Sequence, residues 1–183
     1  MTGEDLRIIV GASSQDYPGW IRTQQADLEL TRRDDWACRF RPASVNRILA
    51  EHVWEHLTPD EATVAAQVCF EFLAPRGFLR CAVPDGCFPN EDYQRIVQVG
   101  GPGPSDHPAA SHRVVYDYCM LSRVFVQAGF DVRLLEWWDE HGKFHAESWD
   151  ERDGFIYRSL RFDQRNENGS LVFTSLILDA VKP

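Results

Sequence analysis

The segment from 44 to 61 constrains the fold more than any other part of the chain. It begins with an apolar stretch, Val45 to Ala50, that has the length and composition of a buried strand. The corner that follows carries four chemically active side chains: Glu51, His52, Glu55 and His56. Thr58 and Glu61 then match a capping box with Pro59 at the first helical position, which predicts that a helix begins there. Polar residues between a strand end and a helix start are typical of ligand sites in open α/β sheets.

The same corner spells H-x-x-E-H from His52 to His56, a pattern known from zinc proteases. That chemistry requires both histidines one turn apart on a continuous helix. Because the predicted helix begins only after Thr58, we favour a site without a metal ion. The zinc-protease interpretation remains as the minor alternative.

Length and composition predict one globular unit. The chain has 183 residues, of which 44% are hydrophobic and 26% charged, so we expect a single domain over residues 1–183. The formal charge of -9 argues against nucleic acid as the partner, because binding to phosphates needs clustered Lys and Arg. A homodimer is compatible with the sequence.

The predicted compartment is the cytoplasm. No apolar stretch approaches the roughly 20 residues that cross a bilayer, and the first ten residues lack the plan of a signal peptide, so we expect no membrane association. The five cysteines form no C-x-x-C pair, and their odd number indicates neither a disulfide framework nor a cysteine zinc site.

The remaining chain predicts alternating strands and helices. Leu6 to Gly11 is typical of a buried strand that ends at a glycine turn, and Ile21 to Gln24 follows after a loop too short for a crossover helix. Further strands are predicted at 78–83 and 131–138, a short helix at 36–40 and a longer one at 118–128. Gly86 to His112 is predicted to be irregular, as a binding loop or a disordered insert. Phe155 to Phe162 is predicted to form a closing hairpin with Leu171 to Val181.

In this order the chain resembles a small class I S-adenosylmethionine (SAM)-dependent methyltransferase. The resemblance is carried by Val10-Gly11-Ala12, Pro18 to Ile21, Ile48 to Leu57, Leu73 to Arg80 with Val83-Pro84-Asp85, and Ala128-Gly129-Phe130. It implies an α/β fold with a Rossmann-like, mostly parallel sheet, an antiparallel C-terminal hairpin and a shortened first half. It also implies SAM as the cofactor and a small-molecule or saccharide acceptor.

The resemblance further implies a set of site residues. In the family, the glycine turn cradles the methionine part of the cofactor, the second strand ends near the ribose, and an acidic-apolar pair meets the adenine. The corresponding positions are Gly11, Ala12 and Ser13 for the turn, Gln24 for the ribose, Glu29 and Leu30 for the adenine, and Glu51 beside the cofactor. Asp27 and Leu28 are the alternative register for the adenine pair.

The sequence departs from the family at two of these positions. The turn keeps one glycine, and an uncharged Gln24 stands where a ribose carboxylate is usual, so a non-catalytic Rossmann-like interaction module is the second hypothesis. For an enzyme, His52 and His56 are the predicted acid-base residues, since an imidazole titrates near neutral pH. Substrate contacts are predicted at the same rim: Asp85, His112 and Tyr116. Trp137, Trp138 and the 141–149 segment fit either an acceptor pocket or a dimer face.

Overall fold

A seven-stranded sheet forms the centre of the molecule in the computed structural model, which describes residues 5–169 and 171–183. The strands lie in the order β2-β1-β3-β4-β7-β5-β6. Their bounds are Arg7–Ile9 (β1), Trp20–Arg22 (β2), Val45–Glu51 (β3), Leu73–Pro84 (β4), Asp131–Trp138 (β5), Phe144–Ala146 (β6) and Ser175–Val181 (β7). The first four strands pair in parallel, whereas β7 pairs antiparallel with both β4 and β5, and β6 with β5. The predicted mostly parallel α/β sheet with an antiparallel C-terminal part is confirmed.

The helix after the polar corner begins where the capping signal predicts. The helices span Arg33–Ala37 (α1), Pro59–Phe72 (α2), Glu91–Val97 (α3) and Tyr118–Gln127 (α4). Thr58 and Glu61 form both hydrogen bonds of a capping box at the start of α2. The apolar positions of α2, including Ala65, Cys69 and Phe72, are buried in the main hydrophobic core on one face of the sheet. Among the described residues, no helix is long and apolar enough to cross a membrane.

The segment predicted to be irregular, 86–112, contains regular structure. Asn90 caps α3 by accepting a hydrogen bond from the Tyr93 backbone N–H, and Tyr93 and Val97 bury one side of that helix. A short 3₁₀ turn follows at Pro108–Ser111. The prediction was wrong there because the helix is only seven residues long and its apolar face consists of two side chains, too few for a periodic signal.

The predicted C-terminal hairpin is also wrong in its pairing. Residues 155–162 form turns, and β7 inserts between β4 and β5 in the middle of the sheet. Residues 147–169 and 171–174, which we call the 147–174 segment, lie across the face of the sheet opposite α2, where Ile156 and Trp149 pack on a second apolar cluster. Arg80 holds it there by donating to the backbone carbonyls of Asp150 and Gly154, at 2.8 and 2.9 Å.

Candidate active site

The first strand ends in a glycine turn with little free space. Gly11 has a φ of +60°, and a Cβ built on it would lie 2.8 Å from Cγ2 of Val53, which is closer than any real contact allows. Ala12 is fully buried beside it. The turn therefore brings backbone close to the corner after β3 and tolerates no larger residue at position 11.

The corner after β3 is held in an unusual backbone conformation. His52 has a φ of +56°, in the left-handed region that non-glycine residues rarely adopt. A three-residue 3₁₀ turn follows, Trp54–His56, and α2 begins only at Pro59. His52 and His56 thus do not share a continuous helix, which removes the context that the zinc-protease interpretation requires.

Two adjoining cavities open at the carboxyl ends of β1 and β3, and together we call them the crevice. Gly11, His52 and His56 line both of them. The larger cavity, of about 560 Å³, is also lined by Ala12 to Tyr17, Glu51, Glu55, Pro108, His112, Phe155, Tyr157 and Arg158. The smaller cavity, of about 280 Å³, is also lined by Gln24, Gln25, Leu28, Glu29, Leu30, Val53 and Leu57. All seven predicted cofactor residues therefore lie along one crevice.

The smaller cavity contains the residues predicted to meet ribose and adenine. The side chain of Gln24 forms two hydrogen bonds with the backbone of Ser13, at 3.3 and 3.2 Å, and so ties β2 to the glycine turn. The Glu29 carboxylate accepts from Gln25 at 2.8 Å, and Leu30 is almost fully buried. An apolar wall beside a carboxylate matches the chemistry of a purine with an exocyclic amino group.

Glu51 lies in the larger cavity and is tied to the 147–174 segment. Its carboxylate accepts from the backbone N–H groups of Tyr157 and Arg158, at 3.1 and 2.7 Å, and from the Gln15 side chain at 2.5 Å. The Tyr17 ring also packs edge-on against Phe155, at 5.5 Å. The sequence does not indicate that residues 155–158 form a wall of this cavity, because their aromatic and charged side chains have no periodicity that would show where they pack.

The side chains of Glu55, His56 and His112 form a cluster where the corner after β3 meets residues 108–114. Glu55 is buried, and His56 and His112 stack edge-to-face with ring centres 5.0 Å apart. The Glu55 carbonyl accepts from the backbone N–H groups of Arg113 and Val114, at 2.7 and 3.2 Å, which fixes the two segments together. One potential ligand atom from each of the three side chains lies within 4.8 Å of the others.

Electrostatics around Glu55 favour its ionised form. Burial is the largest single influence and would raise the pKa of this carboxyl, but the neighbouring His52 and His56 imidazoles and a backbone hydrogen bond together lower it by more, so the net direction is down. Nδ1 of His52 lies 3.0 Å from Oε1 of Glu55, and Nε2 of His52 lies 3.0 Å from Oγ of Ser175. Both nitrogens of His52 are thus engaged. Burial lowers the pKa of His112, which favours its neutral form.

Two predicted substrate residues lie apart from the crevice. Asp85 is fully buried, and its carboxylate accepts from the backbone N–H groups of Cys87 and Trp138, at 2.9 and 2.8 Å. Tyr116 is also buried, and its backbone bridges to Asp85. Neither lines either cavity, whereas the third predicted substrate residue, His112, lines the larger one.

The tryptophans predicted to form an acceptor pocket or a dimer face pack against other side chains of the chain. Trp137 stacks on His145 at 4.8 Å, and Trp138 stacks on Phe88 at 5.2 Å. The Arg80 guanidinium lies 4.8 Å from the centre of the Trp149 ring. None of the three tryptophans lines the crevice.

Comparisons with known proteins bear on the fold. No protein-family model matches the chain, and no curated protein sequence matches it. Solved structures do: a SAM-dependent methyltransferase from Archaeoglobus fulgidus aligns over 98% of this chain and 87% of its own, with a TM-score of 0.53 and 10% identity. One from Methanosarcina mazei aligns over 100% and 94%, with a TM-score of 0.53 and 9% identity.

A third match, a SAM-dependent methyltransferase from Thermotoga maritima, aligns over 97% of this chain and 73% of its own, with a TM-score of 0.55 and 11% identity. The chain has the class I SAM-dependent methyltransferase fold. The resemblance inferred from the sequence is confirmed at the level of this fold. In the methyltransferase-like sheet of this chain, the crevice lies at the carboxyl ends of parallel strands, which is the position expected for a ligand in an open α/β fold.

Proposed function

We propose that the protein is a SAM-dependent methyltransferase that acts on a small-molecule or saccharide acceptor. The observation that carries this proposal is the crevice itself, in which two cavities share Gly11, His52 and His56. A bisubstrate reaction needs two adjoining compartments, because the reacting atoms must be held at near-attack distance. Both the fold and the position of the crevice support this function.

The residues of the smaller cavity fit an adenosine. Glu29 offers a carboxylate for the adenine amino group, Leu28 and Leu30 offer an apolar wall, and Gln24 offers an amide in place of a ribose carboxylate. An uncharged partner at Gln24 weakens the contact with ribose hydroxyls without abolishing it, since an amide oxygen also accepts hydrogen bonds. We therefore assign Gly11, Ala12, Ser13, Gln24, Glu29, Leu30 and Glu51 to the cofactor side.

The larger cavity suits the methionine part of the cofactor, at Ala12, Ser13 and Glu51, together with the acceptor. When bound, SAM supplies an activated methyl group on a sulfonium, and the chain itself has to orient the acceptor and keep out water. The wall made by Phe155, Tyr157 and Arg158 shields the cavity on one side, and Glu55, His56 and His112 supply polar groups on the other. A mixed lining of this size fits a polar small molecule or a sugar ring.

We assign the handling of the acceptor proton to the corner that carries His52 and His56. His56 faces both cavities, and its Nδ1 is bonded to Oγ of Ser111 at 2.9 Å, so Nε2 is the nitrogen left to act on a ligand. His52 contacts Ser175 through Nε2 and faces the Glu55 carboxylate with Nδ1, so it is better suited to hold Glu55 in position. The five cysteines are all free, which supports the cytoplasm as the place of action.

The test is the thermal stability of the protein with SAM and with its demethylated product. A ligand at a hundredfold over its Kd adds about 2.7 kcal/mol to the free energy of unfolding. We expect both compounds to raise the melting temperature, and the Glu29→Gln variant to need roughly tenfold more ligand for the same shift. Glu147→Gln, at an exposed position outside the crevice, is the matched control.

The absence of any shift with either compound would contradict the proposal and favour the second hypothesis, a non-catalytic interaction module with the same fold. If Glu29→Gln and Glu147→Gln both keep the full shift, the protein binds SAM, but Glu29 does not make the assigned contact with adenine.

A further inference from the structure

We propose that Glu55, His56 and His112 bind a divalent first-row transition-metal ion at the acceptor side of the crevice. The three side chains bring one ligand atom each to within 4.8 Å of one another, and all three line the larger cavity. Two imidazoles and one carboxylate are a ligand set used by catalytic Zn²⁺ and non-haem Fe²⁺ sites, whereas Mg²⁺ and Ca²⁺ favour oxygen ligands. From the sequence we had favoured a site without a metal ion here.

The buried carboxylate of Glu55 is the second observation that points to an ion. Glu55 is 1% exposed, and neither of its oxygens accepts a well-directed hydrogen bond within the part of the chain that the structure describes. His52 lies 3.0 Å away but does not aim an N–H along a favourable direction. A buried carboxylate that faces one imidazole and accepts no directed hydrogen bond is costly, because the charge has lost its water. A bound cation would compensate that loss.

Both histidines are held in the tautomer that a metal ion requires. Nδ1 of His112 lies 2.9 Å from the Val97 carbonyl, which only accepts, so Nδ1 carries the hydrogen. The Ser111 hydroxyl lies 2.9 Å from Nδ1 of His56 and 3.3 Å from the Pro108 carbonyl, and when it donates to that carbonyl its oxygen accepts from Nδ1, which gives His56 the same tautomer. Nε2 of each ring is left with its lone pair free. Outer partners of this kind are typical of metal-ligating histidines.

The backbone keeps the ligands together, although they come from two segments. The Glu55 carbonyl accepts from Arg113 and Val114, so the residue next to His112 is tied to the residue next to His56. When an ion lies about 2.1 Å from each ligand atom, any two of these ligand atoms are at most about 4 Å apart. Binding therefore draws the cluster inward by up to about 1 Å, which a rotation of the half-buried His56 ring can provide.

The ion also has a role in the proposed reaction, and this part rests on the proposed function. Three protein ligands leave coordination positions open toward the cavity, where an acceptor hydroxyl can bind. With the ion bound, Nε2 of His56 is a ligand and no longer accepts the acceptor proton. The ion instead polarises that hydroxyl and lowers its pKa, and the proton passes to a solvent water at the open side of the cavity. The oxygen then presents a lone pair for methylation. This predicts an acceptor with a hydroxyl group.

The test is a titration of the protein with Co²⁺ after removal of metal by chelator and dialysis. We expect visible absorption bands of a His-ligated ion that saturate at one ion per chain, with displacement by Zn²⁺ and none by Mg²⁺. His56→Ala and His112→Ala should weaken binding at least tenfold. His145→Ala is the matched control, because this partly buried histidine is bonded to Asp139 outside the crevice.

A titration without bands, or with bands that persist unchanged in both His56→Ala and His112→Ala, overturns the proposal. His112 is buried and its variant can unfold, but His56 is only half-buried, so its variant keeps the test valid. Binding of the demethylated cofactor product is measured in parallel without metal. If the protein binds Co²⁺ but not the demethylated product, the proposed function is contradicted and the metal site is supported. If it binds the product but not Co²⁺, only the metal site is contradicted.

Discussion

At the scale of single residues, Gly11 shows how one missing side chain positions the crevice. Its positive φ alone costs an alanine about 1–2 kcal/mol, and the contact with Val53 adds steric overlap. We expect Gly11→Ala to lower the free energy of unfolding by about 2–5 kcal/mol in urea denaturation. Gly19→Ala isolates the backbone part, because Gly19 has a φ of +81° and a methyl group added there would meet nothing within 4 Å.

Removal of the Val53 methyl groups separates the two causes further. In the Val53→Ala background the added methyl group at position 11 meets no close atom, so Gly11→Ala should cost no more there than Gly19→Ala does in the parent chain. An equal cost of Gly11→Ala in both backgrounds would show that the contact with Val53 is unimportant and that backbone strain alone decides.

The carboxyl group of Asp85 makes stability depend on pH. Burial raises its pKa to about 6, against about 3.9 in an unfolded chain. Between about pH 4 and pH 6 the folded protein keeps a proton that the unfolded chain has released, so this residue's contribution to stability falls as the pH rises. The total loss is on the order of 3 kcal/mol.

Asp85→Asn removes this titration. We expect the stability of the parent protein minus that of Asp85→Asn to decrease steadily from pH 4 to pH 7 in urea denaturation at each pH. Asp106→Asn, at an exposed position without hydrogen-bond partners among the described residues, is the control and should show a flat difference. A flat difference for Asp85→Asn as well would mean that Asp85 titrates normally in the folded protein.

At the scale of elements, the 147–174 segment takes the place that helices occupy on the other face of the sheet. Arg80 anchors it through the carbonyls of Asp150 and Gly154 and is itself paired with the buried Asp179, at 2.8 Å. Glu136 forms a second anchor, since its carboxylate accepts from Trp149 and from the Leu160 backbone. Glu51 forms the third. The wall of the larger cavity thus depends on three side chains of the strands.

Breaking the Arg80 anchor should loosen this wall. Arg80→Met leaves Asp179 buried without its partner, for which we expect a loss of about 3–5 kcal/mol in the free energy of unfolding. Amide hydrogen exchange at 150–158 should accelerate by more than the change in global stability explains. Arg33→Met breaks the exposed ion pair with Glu71 and should cost far less, because solvent screens that pair.

The double variant Arg80→Met with Asp179→Leu distinguishes the ion pair from the anchor. Apolar replacement of a whole buried pair is often neutral, so we expect global stability to recover while exchange at 150–158 stays fast. If exchange there returned to the parent rate, the carbonyl contacts of Arg80 would not be what holds the segment.

At the scale of the whole molecule, the sequence predicted the features that are encoded locally. The capping box at Thr58 and the glycine after β1 define a helix start and a turn without reference to distant residues, and both were found as predicted. The position of β7 in the sheet could not be predicted, because the pattern of apolar residues within a strand does not show which strands it pairs with. Glu55 and His112 illustrate the same limit, since only the folded chain brings them into one cluster.

The burial of β7 on both faces gives it a central part in the stability of the fold. It is the last strand in sequence but lies between β4 and β5, so the sheet is complete only when the C-terminal residues are in place. Leu178 is fully buried at its middle. We expect Leu178→Ala to lower the free energy of unfolding by about 2–5 kcal/mol, because it leaves a cavity in the main core.

Because β7 joins the parallel strands to the β5–β6 pair, the Leu178→Ala effect should reach the entire sheet. Tryptophan fluorescence and far-UV circular dichroism should therefore report the same shifted urea midpoint for this variant. Leu160→Ala, at a side chain that is 40% exposed, is the control and should move the midpoint far less. Two separate midpoints in Leu178→Ala would instead mean that the β5–β6 edge unfolds independently of the strands that carry the crevice.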